Sequence, residues 1–162
     1  MDDDAITQQL ADQSQPDLVD FDLLSAPGHL LRRNHQRSYE LFTKRVGPTV
    51  TRQQFALLLS LAQRPGASQR DLVDATGMDK STLKEMLERM VARGWVLRER
   101  DPSDSRAWTM LMTAQGRELL NELIPLVAGV QRDILAPLAE EDRPVFMRLL
   151  RTLLGFEERA VQ

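Results

Sequence analysis

The chain has 162 residues, no cysteine and a formal charge of −3, a size that fits one domain with room for an extended interface. Lacking cysteine, it has no disulfide, no thiolate nucleophile and no thiol redox switch. No run reaches the roughly 18 apolar residues of a bilayer-spanning helix, and the acidic N-terminus is unlike a secretory signal, so a cytoplasmic location without membrane association is expected.

Residues 1–25 hold seven acids and no base, which leaves residues 26–162 at +4. Residues 1–24 lack apolar periodicity and read as a flexible acidic arm, with solubility as its plainest role. From Pro27, a residue helices tolerate early, a first long helix runs to the Gly47-Pro48 stop. Leu31, His35, Tyr39, Phe42 and Val46 recur along it at near-helical spacing. Thr51 opens a second helix, with Gln54 three residues on as a capping box. Phe55, Leu58, Leu59 and Ala62 are its predicted buried face. After the Arg64-Pro65-Gly66 turn, Ser68 caps a short helix through Asp71-Leu72-Val73-Asp74-Ala75. Thr76-Gly77-Met78 is a tight turn in which Gly77 is free to take positive φ. Asp79 then caps a longer helix that stops at Arg93-Gly94.

Two β-like runs follow, 95–100 and 107–112, separated by the polar turn 101–106; they suit an antiparallel hairpin. Thr113 reads as the cap of a long helix carrying Leu119, Leu120, Leu123, Ile124, Val127, Val130 and Ile134. Pro125 within it removes a donor and is expected to kink it. Past Ala136-Pro137, the acids Glu140-Glu141-Asp142 start a last helix bearing Val145, Phe146, Leu149, Leu150, Leu153 and Phe156. No internal repeat is evident.

The expected fold is therefore mainly α. A winged helix-turn-helix with a two- to three-stranded β-wing occupies 51–112, a first dimerisation helix 25–50, and C-terminal dimerisation helices 113–162. The terminal helices are apolar over more than one stripe, which one small core would struggle to cover. A second copy solves this economically, two-fold dimers being the commonest oligomer.

Helix, turn, helix and wing, in that order, place one helix in the DNA major groove and a cation in the minor groove beside it. Lys80, Ser81, Thr82 and Lys84 occupy the reading turns; Ser81 and Thr82 serve equally well as helix-start chemistry. Ser68, Gln69 and Arg70 begin the preceding helix, whose N–H groups favour phosphate. Arg106, at the wing tip, suits a narrow, electronegative minor groove, with Asp104 orienting it or pinning the wing. A solvated surface ion pair is the alternative for these two. Arg89, Arg98 and Arg100 can meet phosphate or solubilise their elements. Along the first helix His35, Tyr39 and Phe42, with Arg32, Arg33 and Phe55, could line a pocket between dimer helices and reading head. There an arginine would pair with a carboxylate or phosphate and the aromatics would pack on a ring. His35 as a hydrogen-bonded core residue is the competing reading.

The spacing Arg98-x5-Asp104-x-Arg106-x5-Met112-Thr113 resembles the wing signature of the MarR family of bacterial transcriptional regulators. The resemblance runs back through Asp79-Lys80-Ser81-Thr82-Leu83 and Glu88-Arg89-Met90-Val91-Ala92-Arg93-Gly94 and forward through the helices after Thr113, covering about residues 27–157. Three positions depart from it: Met112, near-isosteric with the usual Leu; Glu85, where a basic or small residue is common; and Pro125. Glu85 either turns aside or accepts from a cytosine amino group. The resemblance implies a homodimer on a pseudo-palindromic double-stranded operator, usually as a repressor, released by a small molecule. Leu30-Leu31-Arg32-Arg33-Asn34-His35-Gln36-Arg37 is similar to the first helix of MarR-like regulators of aromatic-acid catabolism. That implies an aromatic carboxylate, or its coenzyme A thioester, as effector.

An enzyme is not expected. There is no HExxH, no Gly-rich phosphate loop and no nucleophile–base pair, and two histidines without cysteine fall short of the usual zinc ligand set. No cofactor or metal is expected. A winged helix that binds protein instead of DNA is the alternative; it would dispense with Lys80, Lys84 and Arg106.

Overall fold

The computed structural model describes residues 22–100 and 108–156. The chain divides into two units, residues 1–37 and 38–162. In the first, Asp22, counted with the acidic arm on composition, caps a 3₁₀ turn at Leu23–Ser25. Its carboxylate accepts the Leu24 N–H at 2.9 Å and the Ser25 hydroxyl at 2.8 Å. Helix α1, Pro27–Val46, begins in this unit, where Leu23, Leu24, Leu30 and Leu31 are all exposed.

The second unit holds α2 (Arg52–Gln63), α3 (Gln69–Thr76), α4 (Lys80–Ala92), β1 (Val96–Arg100), β2 (Trp108–Met112), α5 (Ala114–Leu135) and α6 (Asp142–Leu153). Helix starts follow local chemistry. Thr51 and Gln54 form a reciprocal capping box, as do Ser68 and Asp71, while Asp79 and Thr113 cap α4 and α5 through their side chains. A cap of the Thr51 kind is worth about 1 kcal/mol. Gly77 ends α3 in the left-handed region at φ 67°, so the tight turn needs glycine.

Helix α2 packs on α3, α5 and β2, while α4 packs on α3 and β1. Leu57, Leu58, Leu61, Leu72, Leu83, Met90, Val96 and Met110 are fully buried at their junction. The buried face of α2 differs from the one expected. Gln54, Leu57, Leu58 and Leu61 are buried, whereas Phe55, Leu59 and Ala62 lie half-buried against the cluster. The Gln54 side chain is turned inward by its bond to the Thr51 N–H (2.9 Å), which carries the stripe round by one residue. A second cluster joins Phe42, Val127 and Val130, with Phe55 and Ile134 against it. Of the expected α1 stripe only Phe42 is buried; Tyr39 is 57% exposed.

The wing is an antiparallel pair with Val96 opposite Met112, Arg98 opposite Met110 and Arg100 opposite Trp108. A single bridge from Ser68 to Thr109 stands in for a third strand, beside a bond from the Met110 N–H to the Ala67 carbonyl (3.2 Å). Trp95, expected within the first strand, precedes it. Its N–H reaches the Met90 carbonyl (3.0 Å) and its carbonyl accepts from the Thr113 N–H (3.1 Å), so it ties the end of α4 to the start of α5. Thr113 completes the knot: its hydroxyl donates to the Gly94 carbonyl (2.7 Å) and accepts the Gly116 N–H (2.9 Å).

Helix α5 runs unbroken through Pro125. Gly129 on it leaves room for the Arg45 guanidinium, which bonds the Asp133 carboxylate through Nε (3.1 Å) and Nη2 (2.5 Å). Glu141 and Asp142 start α6 as the acids suggested, but the helix stops at Leu153, before Phe156. Val145, Leu149, Leu153, Leu154 and Phe156 are all exposed, so the second unit leaves the apolar stripe of α6 uncovered. No helix among the described residues is long and apolar enough to cross a membrane.

Candidate nucleic-acid interface

Asp79 organises the first turn of α4. Its carboxylate accepts the Thr82 N–H at 2.9 Å, the Ser81 hydroxyl at 2.6 Å and the Thr82 hydroxyl at 2.6 Å. These bonds, the Ser81 hydroxyl's first, hold its pKa far below the usual carboxylate range. An ionised carboxylate only accepts, so each hydroxyl spends its one proton on Asp79 and keeps lone pairs for another partner. Set against a base edge, such hydroxyls would offer acceptors, suited to the amino groups of adenine and cytosine. The helix-start reading of these two residues is the one these bonds show, and it fixes the polarity of their outward faces.

Ser68 plays the matching part at α3. Its hydroxyl donates to Asp71 (2.7 Å) and accepts the Asp71 N–H (3.2 Å), while its own N–H also reaches the Asp71 carboxylate (2.9 Å). The Ser68 hydroxyl, then its N–H, lowers the Asp71 pKa.

The start of α3, the start of α4 and the wing meet in a groove of about 470 Å³ lined by Ser68, Gln69, Arg70, Val73, Lys80, Arg98 and Trp108. Three of these side chains are cationic and none is acidic. Arg98 and Gln69 also line a smaller hollow together with Lys84 and Glu88. The structure thus brings together five residues expected at a DNA site: Ser68, Gln69, Arg70, Lys80 and Arg98.

Farther along α4, Lys84 lies 4.0 Å from Glu88 and Arg89 lies 3.5 Å from Glu85, all more than 60% exposed. Such pairs add only a few tenths of a kcal/mol, so either cation can be drawn to phosphate at little cost. Glu85 reaches along its own helix to Arg89. Asp104 and Arg106 lie outside the described residues, as does the arm through residue 21.

Two features of this surface escaped the sequence reading: the dual grip of Asp79 and the place of Trp108. The Arg98 and Arg100 guanidiniums sit 4.2 and 4.9 Å from the Trp108 ring centroid. The available signal was a tryptophan one strand away from two arginines spaced i, i+2. Arg93 stands 4.9 Å over Trp95 and donates to the Thr49 carbonyl (2.9 Å), a scaffold role.

Of the residues considered for an effector, Arg32, Arg33 and His35 are exposed on α1 in the first unit. In the second, Phe42 is buried with Val127 and Val130, Phe55 packs against the same cluster, and the Arg52 guanidinium lies 5.3 Å from the Tyr39 ring centroid.

A winged helix-turn-helix with cations ringing its two helix starts defines a class of transcriptional regulators. A sequence profile described as the MarR family matches residues 49–107. Transcriptional regulator HosA of Escherichia coli O111:H- is 38% identical over 108 residues, 67% of this chain and 80% of HosA. The structure resembles that of Bordetella bronchiseptica BpsR, whose DNA binding is regulated by 6-hydroxynicotinic acid. The TM-score is 0.79 at 30% identity, over 82% of this chain and 96% of BpsR. It also resembles the transcriptional repressor CouR bound to a 23-mer DNA duplex, with a TM-score of 0.76 at 30% identity over 82% and 94% of the two chains. The chain belongs to the MarR family of winged-helix transcriptional regulators.

Proposed function

We propose that this protein is a homodimeric repressor that binds a pseudo-palindromic operator and is released by a small aromatic carboxylate or its coenzyme A thioester. The observation that carries the reading is the acid-free groove in which Arg70, Lys80 and Arg98 converge beside the reading turns of α4. In this reading α4 enters the major groove with Lys80, Ser81 and Thr82 toward base edges and Lys84 toward a phosphate. The N-terminus of α3 meets phosphate, and Arg106 enters the minor groove. The uncovered apolar stripe of α6 supports the second copy, which sets two reading heads about 34 Å apart on the duplex. DNA-bound CouR and the regulation of BpsR by an aromatic acid support the operator and the effector class.

Release needs no large motion. An effector has only to bind more tightly to the conformer whose head spacing misfits successive major grooves, and the shift it achieves is bounded by that difference in affinity.

A gel shift with the DNA flanking its own gene tests the core of the proposal. Wild-type protein should bind that duplex, and Arg106→Ala should weaken binding about 10- to 100-fold while leaving the dimer folded. Unchanged affinity at fixed salt would remove Arg106 from the interface. Lys84→Ala should shrink the slope of log K against log salt by about 0.9; an unchanged slope with relaxed site discrimination would assign Lys84 to a base. Thermal-shift screening of aromatic acids and their thioesters should raise Tm for at least one, and no response from any would overturn the effector class.

A further inference from the structure

We propose that Trp108 is the positioning residue of the wing, holding Arg98 and Arg100 as a paired cationic shelf aimed at the DNA backbone. This rests on the DNA-binding reading above and extends it to a residue that carries no charge.

Residues 98 and 100 alternate to the same face of β1, the face that also carries buried Val96. The register sets Arg100 directly across from Trp108 and Arg98 one step diagonal to it. Two guanidiniums on one face at this spacing repel each other, and long side chains on an exposed strand carry much rotamer freedom to lose. The electron-rich face of the indole offsets that tendency, attracting a cation within about 6 Å of its centroid. Both arginines satisfy this distance at 4.2 and 4.9 Å. A cation–ring contact uses the guanidinium's face, so it does not compete with in-plane N–H bonds of the fork geometry that phosphate oxygens accept. Trp108 is only partly buried and lines the same groove as Arg70, Lys80 and Arg98. The shelf therefore continues the cationic lining from the helix starts onto the wing. Less rotamer freedom is then lost when DNA arrives, which is the sense in which Trp108 acts through its neighbours.

The test compares Trp108→Phe, which keeps a ring face, with Trp108→Leu, which keeps apolar bulk alone, using full-length protein and the duplex flanking its gene. Trp108→Leu should weaken binding about tenfold and reduce the salt slope by about 0.9 to 1.8, one or two phosphate contacts. Trp108→Phe should retain most of both. In an Arg98→Gln, Arg100→Gln background the leucine change should cost nothing further, because the groups it positions are gone. Equal losses for Phe and Leu, no loss for Leu, or full additivity in the double background would each overturn the proposal. A ring-current shift of the Arg98 and Arg100 side-chain resonances, present in free wild type and absent in Trp108→Leu, checks the shelf without DNA, and its absence in wild type overturns the proposal too. Failure of wild type to bind any duplex overturns the DNA reading along with the shelf, whereas normal wild-type binding with an inert Trp108→Leu overturns the shelf alone.

Discussion

Replacing Gly116 with alanine is expected to be the most damaging single-methyl change in the chain, destabilising it by about 3 kcal/mol or more. A Cβ at this buried position would run into the Trp95 carbonyl oxygen and come within 3.0 Å of Met112 Cγ. The methionine could move, but the carbonyl belongs to the backbone and is already bonded to the Thr113 N–H. Relief requires the start of α5 to back away from the base of the wing, breaking the Thr113 hydroxyl's bonds to Gly94 and Gly116. Denaturant unfolding of Gly116→Ala beside wild type measures the loss. A stability within about 0.5 kcal/mol of wild type, the ordinary range for surface changes, would show that the close approach is not held in solution.

Asp79→Ala is expected to cut operator affinity about tenfold or more, taking the smaller end of the usual cost of lost base contacts. The change frees the Ser81 and Thr82 hydroxyls to rotate and removes the cap of α4 together. The companion Asp79→Asn separates charge from shape through pH. Because the folded pKa of Asp79 is depressed, its ionised form stabilises the fold fully above the unfolded carboxyl value of about 3.9. That contribution is lost as pH falls from there through the folded value. The Tm gap between wild type and Asp79→Asn should accordingly be widest near neutrality and narrow below about pH 4. A gap that stays constant down to pH 3 would mean that the charge contributes nothing to the cap.

Local chemistry made most of the fold legible. Thr51, Ser68, Asp79 and Thr113 each start a helix where their side chains bond the third residue on, a signal contained within four residues. Contacts that depend on distant backbone were not legible. Nothing near Gly116 in sequence announces that the Trp95 carbonyl presses on it, and the pairing of Arg100 with Trp108 requires the hairpin register. The face of α2 was ambiguous because apolar residues fill Phe55 through Leu59 without a polar break, so two adjacent stripes fit helical spacing equally. Packing against α3 and α5 selects the one centred on Leu57, Leu58 and Leu61. The site followed the same division. Ser68, Gln69, Arg70, Lys80 and Arg98 carried charge or cap signals and now share one groove, whereas the part of Trp108 emerges only from tertiary placement.

Helix α5 spans 22 residues from the Gly116 knot to Leu135, a rod of about 33 Å. Pivoted at its wing end, such a rod turns a tilt of about 5° into a sweep of roughly 3 Å at the other. A displacement of a few ångströms at the far end therefore corresponds to only a few degrees at the wing, provided that the helix turns as one body.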